Sequence, residues 1–200
     1  RARMQNLANS VVLFSQGIPF FHAGDDLLRS KSGDRNSYNS GDWFNRLDFS
    51  YASNNWGVGL PPDSQGRAAV LAPLLADPAL KPTRADIEAA AVSFRELLQI
   101  RRSSPLFRLR TAEDVSNVLS FLNVGPDQVP GLIVMVLTDD PAQNLDPAYD
   151  RVVVVFNANR ADTAYTAETL RGLPLALHPV QQQSADPVVR GAAFDPTTGA

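Results

Sequence analysis

Cysteine is absent from the 200 residues. Disulfides, thiolate metal sites and a cysteine nucleophile are therefore excluded, and the redox compartment leaves no mark. Histidine is scarce. His22 and His178 lie far apart, and neither has a His or Glu at zinc spacing. A glycine-rich phosphate loop is also missing, because Gly57-Val58-Gly59 lacks a third glycine and a helix to open. The nucleophile elbow Gly-x-Ser-x-Gly does not occur. Excess charge of either sign is small: 18 Lys and Arg against 21 Asp and Glu leave −3. A nucleic-acid binder would carry a basic surplus. No apolar run approaches the roughly 20 residues that cross a bilayer, so no membrane partner is expected. No charged-then-apolar leader follows Arg1, so the compartment cannot be read from this sequence. What remains is a globular balance, 44% hydrophobic and 20% charged, enough for one domain or two small ones.

Periodicity divides the chain into segments. Met4, Leu7, Ala8, Val11 and Phe14 recur at three and four residues and predict a helix over 3–16, with Gly17 as its stop. Residues 17–23 form a short apolar run that suits a strand buried on both faces, as in a parallel sheet. Residues 24–82 are long, polar and rich in turn formers, with a short helix near 66–76 weakened by Pro73. This stretch holds both tryptophans, which favours an ordered functional loop over a disordered linker. Residues 84–102 predict the clearest helix. Thr83 and Asp86 form its capping box, Ile87, Ala90, Ala91, Phe94, Leu97 and Leu98 its apolar stripe, and Arg101 and Arg102 sit in its last turn. After Pro105 the period changes. Runs at 118–122, 132–137 and 152–156 read as strands, with shorter candidates at 162–166, 173–177 and 192–195. Strands without intervening helices predict an antiparallel sandwich, with a boundary near residue 104. The first helix lacks a cap, and the closing Asp195-Pro196-Thr197-Thr198-Gly199 turn lacks a following strand. The chain is therefore expected to be a piece of a longer protein.

The loop after the 17–23 run draws the functional attention, because α/β active sites lie at the carboxyl ends of strands. It offers Asp25, Asp26, Asp34, Arg35, Asn36, Tyr38, Asn39, Asp42, Trp43 and Asn45. Carboxylates and amides bind hydroxyls, Arg donates to oxygens, and aromatic faces stack on apolar sugar faces. That mixture fits a neutral polyhydroxylated ligand, although Asx residues also build turns. Asp34-x-Asn36 opens like a calcium loop, but Tyr38 and Asn39 stand where an oxygen ligand and a glycine belong. No cofactor is expected from these residues; another calcium arrangement stays open for the longer protein but is not supported by this loop. His22 reads as a packed core histidine more readily than a catalytic one, and His178 as a surface or packing residue.

Three stretches resemble the pullulanase and limit-dextrinase branch of the α-amylase family, glycoside hydrolase family thirteen. They are Gly17-Ile-Pro-Phe-Phe-His-Ala-Gly-Asp-Asp-Leu-Leu-Arg-Ser-Lys31, Asp34-Arg-Asn-Ser-Tyr-Asn-Ser-Gly-Asp-Trp-Phe-Asn45 and Asn54-Asn-Trp-Gly-Val-Gly-Leu-Pro61. Phe94 to Phe107 and Gly125 to Val134 agree. The resemblance implies a debranching enzyme that cleaves α-1,6 links in pullulan and limit dextrins. It also implies α/β structure followed by all-β: the end of a (β/α)8 TIM barrel over 1–104 and a C-terminal antiparallel β-sandwich over 105–200, short of its last strand. On this map 3–16 is the seventh barrel helix, 17–23 the eighth strand and 84–102 the last helix. The family's mechanism is retaining, with two carboxylates flanking the bond. Its catalytic carboxylates lie upstream of the seventh helix, so this chain holds none and is expected to be inactive by itself. Asp26 stands where the wider family usually has Glu. The resemblance assigns substrate contact to the loop, with Asp34, Arg35, Asn36, Tyr38 and Asp42 as binding candidates and Trp43 as a wall. The competing readings are a non-catalytic carbohydrate-binding or scaffold sandwich, and an isoamylase-type debranching enzyme.

Overall fold

The structure is a computed structural model that describes residues 2–64 and 66–200. Its helices are α1 (Ala2–Phe14), α2 (Ala68–Ala76), α3 (Arg84–Ser103), α4 (Ala112–Val118), α5 (Pro179–Gln182) and α6 (Pro187–Arg190). Its strands are β1 (Leu119–Phe121), β2 (Leu132–Thr138) and β3 (Arg151–Asn157). The chain divides into two compact units. The first comprises Arg1–Asn6 and Phe21–Phe94, the second Leu7–Phe20 and Arg95–Ala200.

In the first unit, Leu27, Ile87 and Ala91 make a buried cluster against which Tyr51 packs. Phe21 meets Phe94 edge-on at 5.0 Å between centroids. The predicted capping box at the start of α3 is present. The Asp86 carboxylate accepts from the Thr83 N–H at 2.8 Å and its hydroxyl at 2.6 Å, and the Asp86 N–H donates back at 3.2 Å. Those two donors hold the Asp86 carboxyl below its ordinary value, the hydroxyl most. Helix α2 forms with Pro73 inside it and buries no residue fully. Its Leu71 side chain lies over Gly33 and its Leu75 carbonyl over Gly57. A Cβ at either glycine would stand 2.9 Å from those atoms.

In the second unit, β1, β2 and β3 form one antiparallel sheet with β2 central. β2 and β3 pair from Leu132↔Asn157 to Thr138↔Arg151. Val134, Met135, Val136 and Leu137 are all buried. Successive strand residues point to opposite faces, so both faces of β2 are covered. Phe14 stacks on Phe107 at 5.1 Å and lies 6.4 Å from Phe156. Gln16 donates to the Leu106 carbonyl at 2.7 Å and accepts from the Leu109 N–H at 3.1 Å.

Several expectations need correction. No strand forms at 17–23. A strand exists only through bonds to a neighbour, and no ladder partner lies beside this run among the described residues. Ile18 and Phe20 are each 91% exposed. The second sheet of a sandwich is also not formed among the described residues: 162–166, 173–177 and 192–195 are irregular. Pro174 lacks the N–H that a ladder needs. The Asp195 turn does form, with the carboxylate accepting from the Thr197 N–H at 2.8 Å and the Thr198 hydroxyl at 3.0 Å. On α1 the buried residues are Asn9, Ser10, Leu13 and Phe14, while Met4 and Val11 are exposed. On α3, Leu98 is exposed and Ile100 buried.

Arg101 does not serve its own helix end. Its buried guanidinium donates to the carbonyls of Leu13, Ser15 (2.9 Å) and Gly17 (2.6 Å). Those groups belong to the C-terminal end of α1 and the residues just after it, where helical partners run out. Burial, and secondarily the charge of Arg108, lowers the Arg101 pKa from its ordinary value.

Candidate functional site

The polar stretch 24–61 belongs to the first unit and is built by side chains bonding to backbone. Gly24, at φ +98°, starts a short 3-10 turn over Asp25–Leu27. Leu28 follows at φ +54°, a conformation that costs a branched side chain energy. Three bonds hold the chain there. The Asn54 amide donates to the Leu28 carbonyl at 2.7 Å, the Ser30 N–H to the Asn54 carbonyl at 2.7 Å, and the Ser32 hydroxyl to the Asn55 carbonyl at 2.8 Å. Ser32, Asn54 and Asn55 are buried, as polar groups are when their bonds are made internally. Beyond Asn45, Asp48 makes a tight turn by accepting from the Ser50 hydroxyl (2.5 Å) and N–H (2.9 Å). The same bonds, the hydroxyl foremost, hold the Asp48 carboxyl below its ordinary value.

A smaller loop is closed within this frame. The Ser37 hydroxyl donates to Asn45 Oδ1 at 2.8 Å, and Asn45 Nδ2 donates to the Ser37 carbonyl at 2.7 Å. The pair staples positions 37 and 45 together. Between them run two 3-10 turns, Ser37–Asn39 and Asp42–Phe44, joined through Gly41 at φ +95°. The Asn55 amide also bonds the Trp43 carbonyl, which fixes the backbone at the second turn. Phe44 points inward and is 3% exposed. Tyr38 and Trp43 do the opposite, at 89% and 66% exposed. Two aromatic side chains thus stand in solvent on a backbone held from both sides.

The six residues singled out from sequence therefore separate. Asp34 contributes to construction: its Oδ1 accepts from the Asn36 N–H at 2.9 Å, and its Oδ2 is buried without a partner. Arg35, Asn36, Tyr38, Asp42 and Trp43 are exposed. The Arg35, Tyr38 and Asp42 side chains bond no described residue, which leaves them available to a ligand. His22 is exposed and not a core residue. Its N–H donates to Asp25 Oδ2 at 3.2 Å, and its Nε2 lies 3.5 Å from Arg29 Nη1. An open cavity of about 530 Å³ in this unit, lined by Asp25, Arg29, Lys81 and Asp86 among others, includes none of the six. It is charged and has no aromatic lining, whereas the 37–45 tip offers aromatic faces beside free polar groups. Asn45, which the sequence offers as a possible ligand contact, instead helps build the loop, and so do Ser37, Asn54 and Asn55, which sequence reasoning does not mark. Nothing in one sequence separates an asparagine that builds a loop from one that binds a ligand.

Comparison with known proteins bears on what this loop serves. Residues 51–200 match the family model described as alpha-1,6-glucosidases, pullulanase-type, C-terminal. The chain is 50% identical to pullulanase 1, chloroplastic, of Arabidopsis thaliana, an alignment that covers all of the chain and 21% of that protein. It is 38% identical to a pullulanase of Klebsiella pneumoniae, over 93% of the chain and 17% of that protein. The crystal structure of PulA from Klebsiella oxytoca superposes with a TM-score of 0.81 at 38% identity, over 92% of this chain and 17% of that one. The maltotriose complex of PulA from Klebsiella pneumoniae superposes at 0.80 with 36% identity, over 91% of this chain and 20% of that one. The chain thus spans about a fifth of the length of these relatives.

Proposed function

The chain belongs to the C-terminal family of pullulanase-type alpha-1,6-glucosidases, and from that premise we propose that it is the C-terminal part of an enzyme hydrolysing α-1,6 links in branched α-glucans such as pullulan and limit dextrin. In this reading residues 1–104 contribute to the end of a (β/α)8 barrel, and residues 105–200 contribute the β1–β2–β3 sheet to a C-terminal β domain. The largely exposed apolar side chains of Ile18 and Phe20 support the first part, since barrel neighbours would cover them. The barrel's two catalytic carboxylates work by the retaining route and stand upstream. This chain then supplies binding, not bond cleavage.

The observation that carries the proposal is the stapled 37–45 loop. Glucose units present apolar faces edged by hydroxyls. Tyr38 and Trp43 offer flat apolar surfaces, and Arg35 and Asp42 offer a donor and an acceptor with no competing bond among the described residues. Holding the backbone before ligand arrives lowers the entropy cost of binding. A relative has been crystallised with maltotriose, a ligand of the chemistry this surface suits.

The test is substitution of Trp43 by Ala in the whole enzyme. Loss of one stacking surface is expected to raise KM for pullulan about tenfold, the equivalent of about 1.4 kcal/mol. An unchanged KM would remove the loop from substrate binding. The 200-residue chain by itself should release no reducing sugar from pullulan, and measurable release would place the catalytic groups here instead.

A further inference from the structure

Arg29 lies outside the 34–43 stretch, yet its guanidinium ties that stretch down. Nη1 donates to the Ala23 carbonyl at 2.9 Å, and Nη2 donates to the Asn45 carbonyl at 2.8 Å with Asn45 Oδ1 at 3.4 Å. One side chain therefore joins the base of the loop to the residue that staples its tip. Asn45 passes the constraint on through its two bonds to Ser37. The route of the Arg29 stem depends on Gly24. A Cβ there would stand 2.7 Å from Arg29 Cδ, 2.8 Å from Arg29 Cβ and 2.6 Å from Leu47 Cδ2. Gly24 also sits at φ +98°, which favours glycine on its own account. The Arg29 N–H donates to the Gly24 carbonyl at 3.0 Å, closing the turn beneath the side chain.

From this geometry we infer that Arg29 is a positioning residue for glucan binding: it fixes Asn45, and through Asn45 the orientation in which Tyr38 and Trp43 meet the sugar. The inference rests on the binding role proposed for the 37–45 loop. A planar fork is required, because the two acceptor carbonyls come from separate stretches of chain. Lysine, a single-point cation on a flexible stem, cannot span both in fixed geometry. Arg29 acts through Asn45 and is assigned no contact with substrate.

The test compares Arg29→Lys, Gly24→Ala and Trp43→Ala in the whole enzyme, reading kcat and KM on pullulan and the thermal midpoint. Arg29→Lys is expected to raise KM about tenfold while kcat stays within about twofold, the pattern of lost uniform binding. Gly24→Ala should raise KM in the same way by displacing the Arg29 stem, with the guanidinium itself chemically unchanged. An Arg29→Lys enzyme with unchanged KM, alongside a Trp43→Ala enzyme with raised KM, would overturn the inference and leave the binding role standing. A parallel fall in kcat, affinity and thermal midpoint for Arg29→Lys would also overturn it, by making the role one of general stability. If Trp43→Ala leaves KM unchanged, the binding role itself fails, and the inference with it.

Discussion

Residues 28–58 and residues 119–157 are both firmly held, by opposite means. In the second stretch, backbone bonds to backbone along the β2–β3 ladder, and apolar side chains fill both faces of β2. In the first, regular structure is confined to short turns. Asparagine, serine and arginine side chains bond to backbone carbonyls instead, at Leu28, Ala23, Ser37, Trp43, Asn45 and Asn55. The ladder is generic and accepts any sequence of suitable periodicity. The loop is particular, because each bond needs one residue type at one place. The difference teaches that the polar richness of 24–61 has two causes. Part of it is scaffold, and only the exposed remainder is free for a ligand.

The comparison can be broken in either region. The largest effect is expected in the second unit. Arg101→Ala would leave the carbonyls of Leu13, Ser15 and Gly17 without their donor and cost about 3 kcal/mol, read as a lowered urea midpoint. A loss below about 0.5 kcal/mol would mean that water replaces the guanidinium freely. Asn45→Ala should cost less, about 2 kcal/mol, and should act locally. Amide exchange would quicken through 37–45 and stay slow through β2 and β3. Quickening in both places would show that the loop is not an independently held element.

The smallest effect is a pH dependence. His178 caps α5: its Nδ1 accepts from the Val180 N–H at 3.2 Å, and its Nε2 lies 3.0 Å from the Ser103 hydroxyl. The Ser103 hydroxyl already donates to the Ile100 carbonyl at 2.7 Å, so Nε2 carries the proton and Nδ1 the lone pair. Burial pushes the imidazole below its ordinary 6.5. The unfolded chain therefore takes up the proton at a higher pH than the folded one. This contribution to stability is complete above about 6.5 and is lost as pH falls through the folded value. His178→Asn should flatten that part of a stability–pH profile. An unaltered profile would mean that His178 contributes nothing to the pH dependence.

Much of the architecture was legible in the sequence. The capping box at Thr83 and Asp86 and the apolar runs that became β2 and β3 follow from local chemistry, and the structure holds them. Helix α4 was missed, although its signal was present. Thr111 caps it, accepting from the Asp114 N–H at 3.0 Å, with Glu113 and Asp114 in the first turn. Strand 17–23 and the smaller strand candidates depend on partners distant in sequence, which periodicity does not report. Arg101 was assigned by position to its own helix dipole, and only three-dimensional packing brings it to the end of α1. At the candidate site, the sequence marks the polar loop and its aromatics, but the Ser37–Asn45 staple and the Arg29 clasp are not legible in it. Both depend on which polar groups fold inward.

In the proposed function the stapled tip meets α-glucan directly. The indole N–H resonance of Trp43, assigned in the whole enzyme by its loss in Trp43→Phe, can be followed during titration with maltotriose. A saturable shift of that resonance, paralleling inhibition of pullulan hydrolysis, is the expected result. A Trp43 signal that stays fixed while inhibition saturates would contradict the claim.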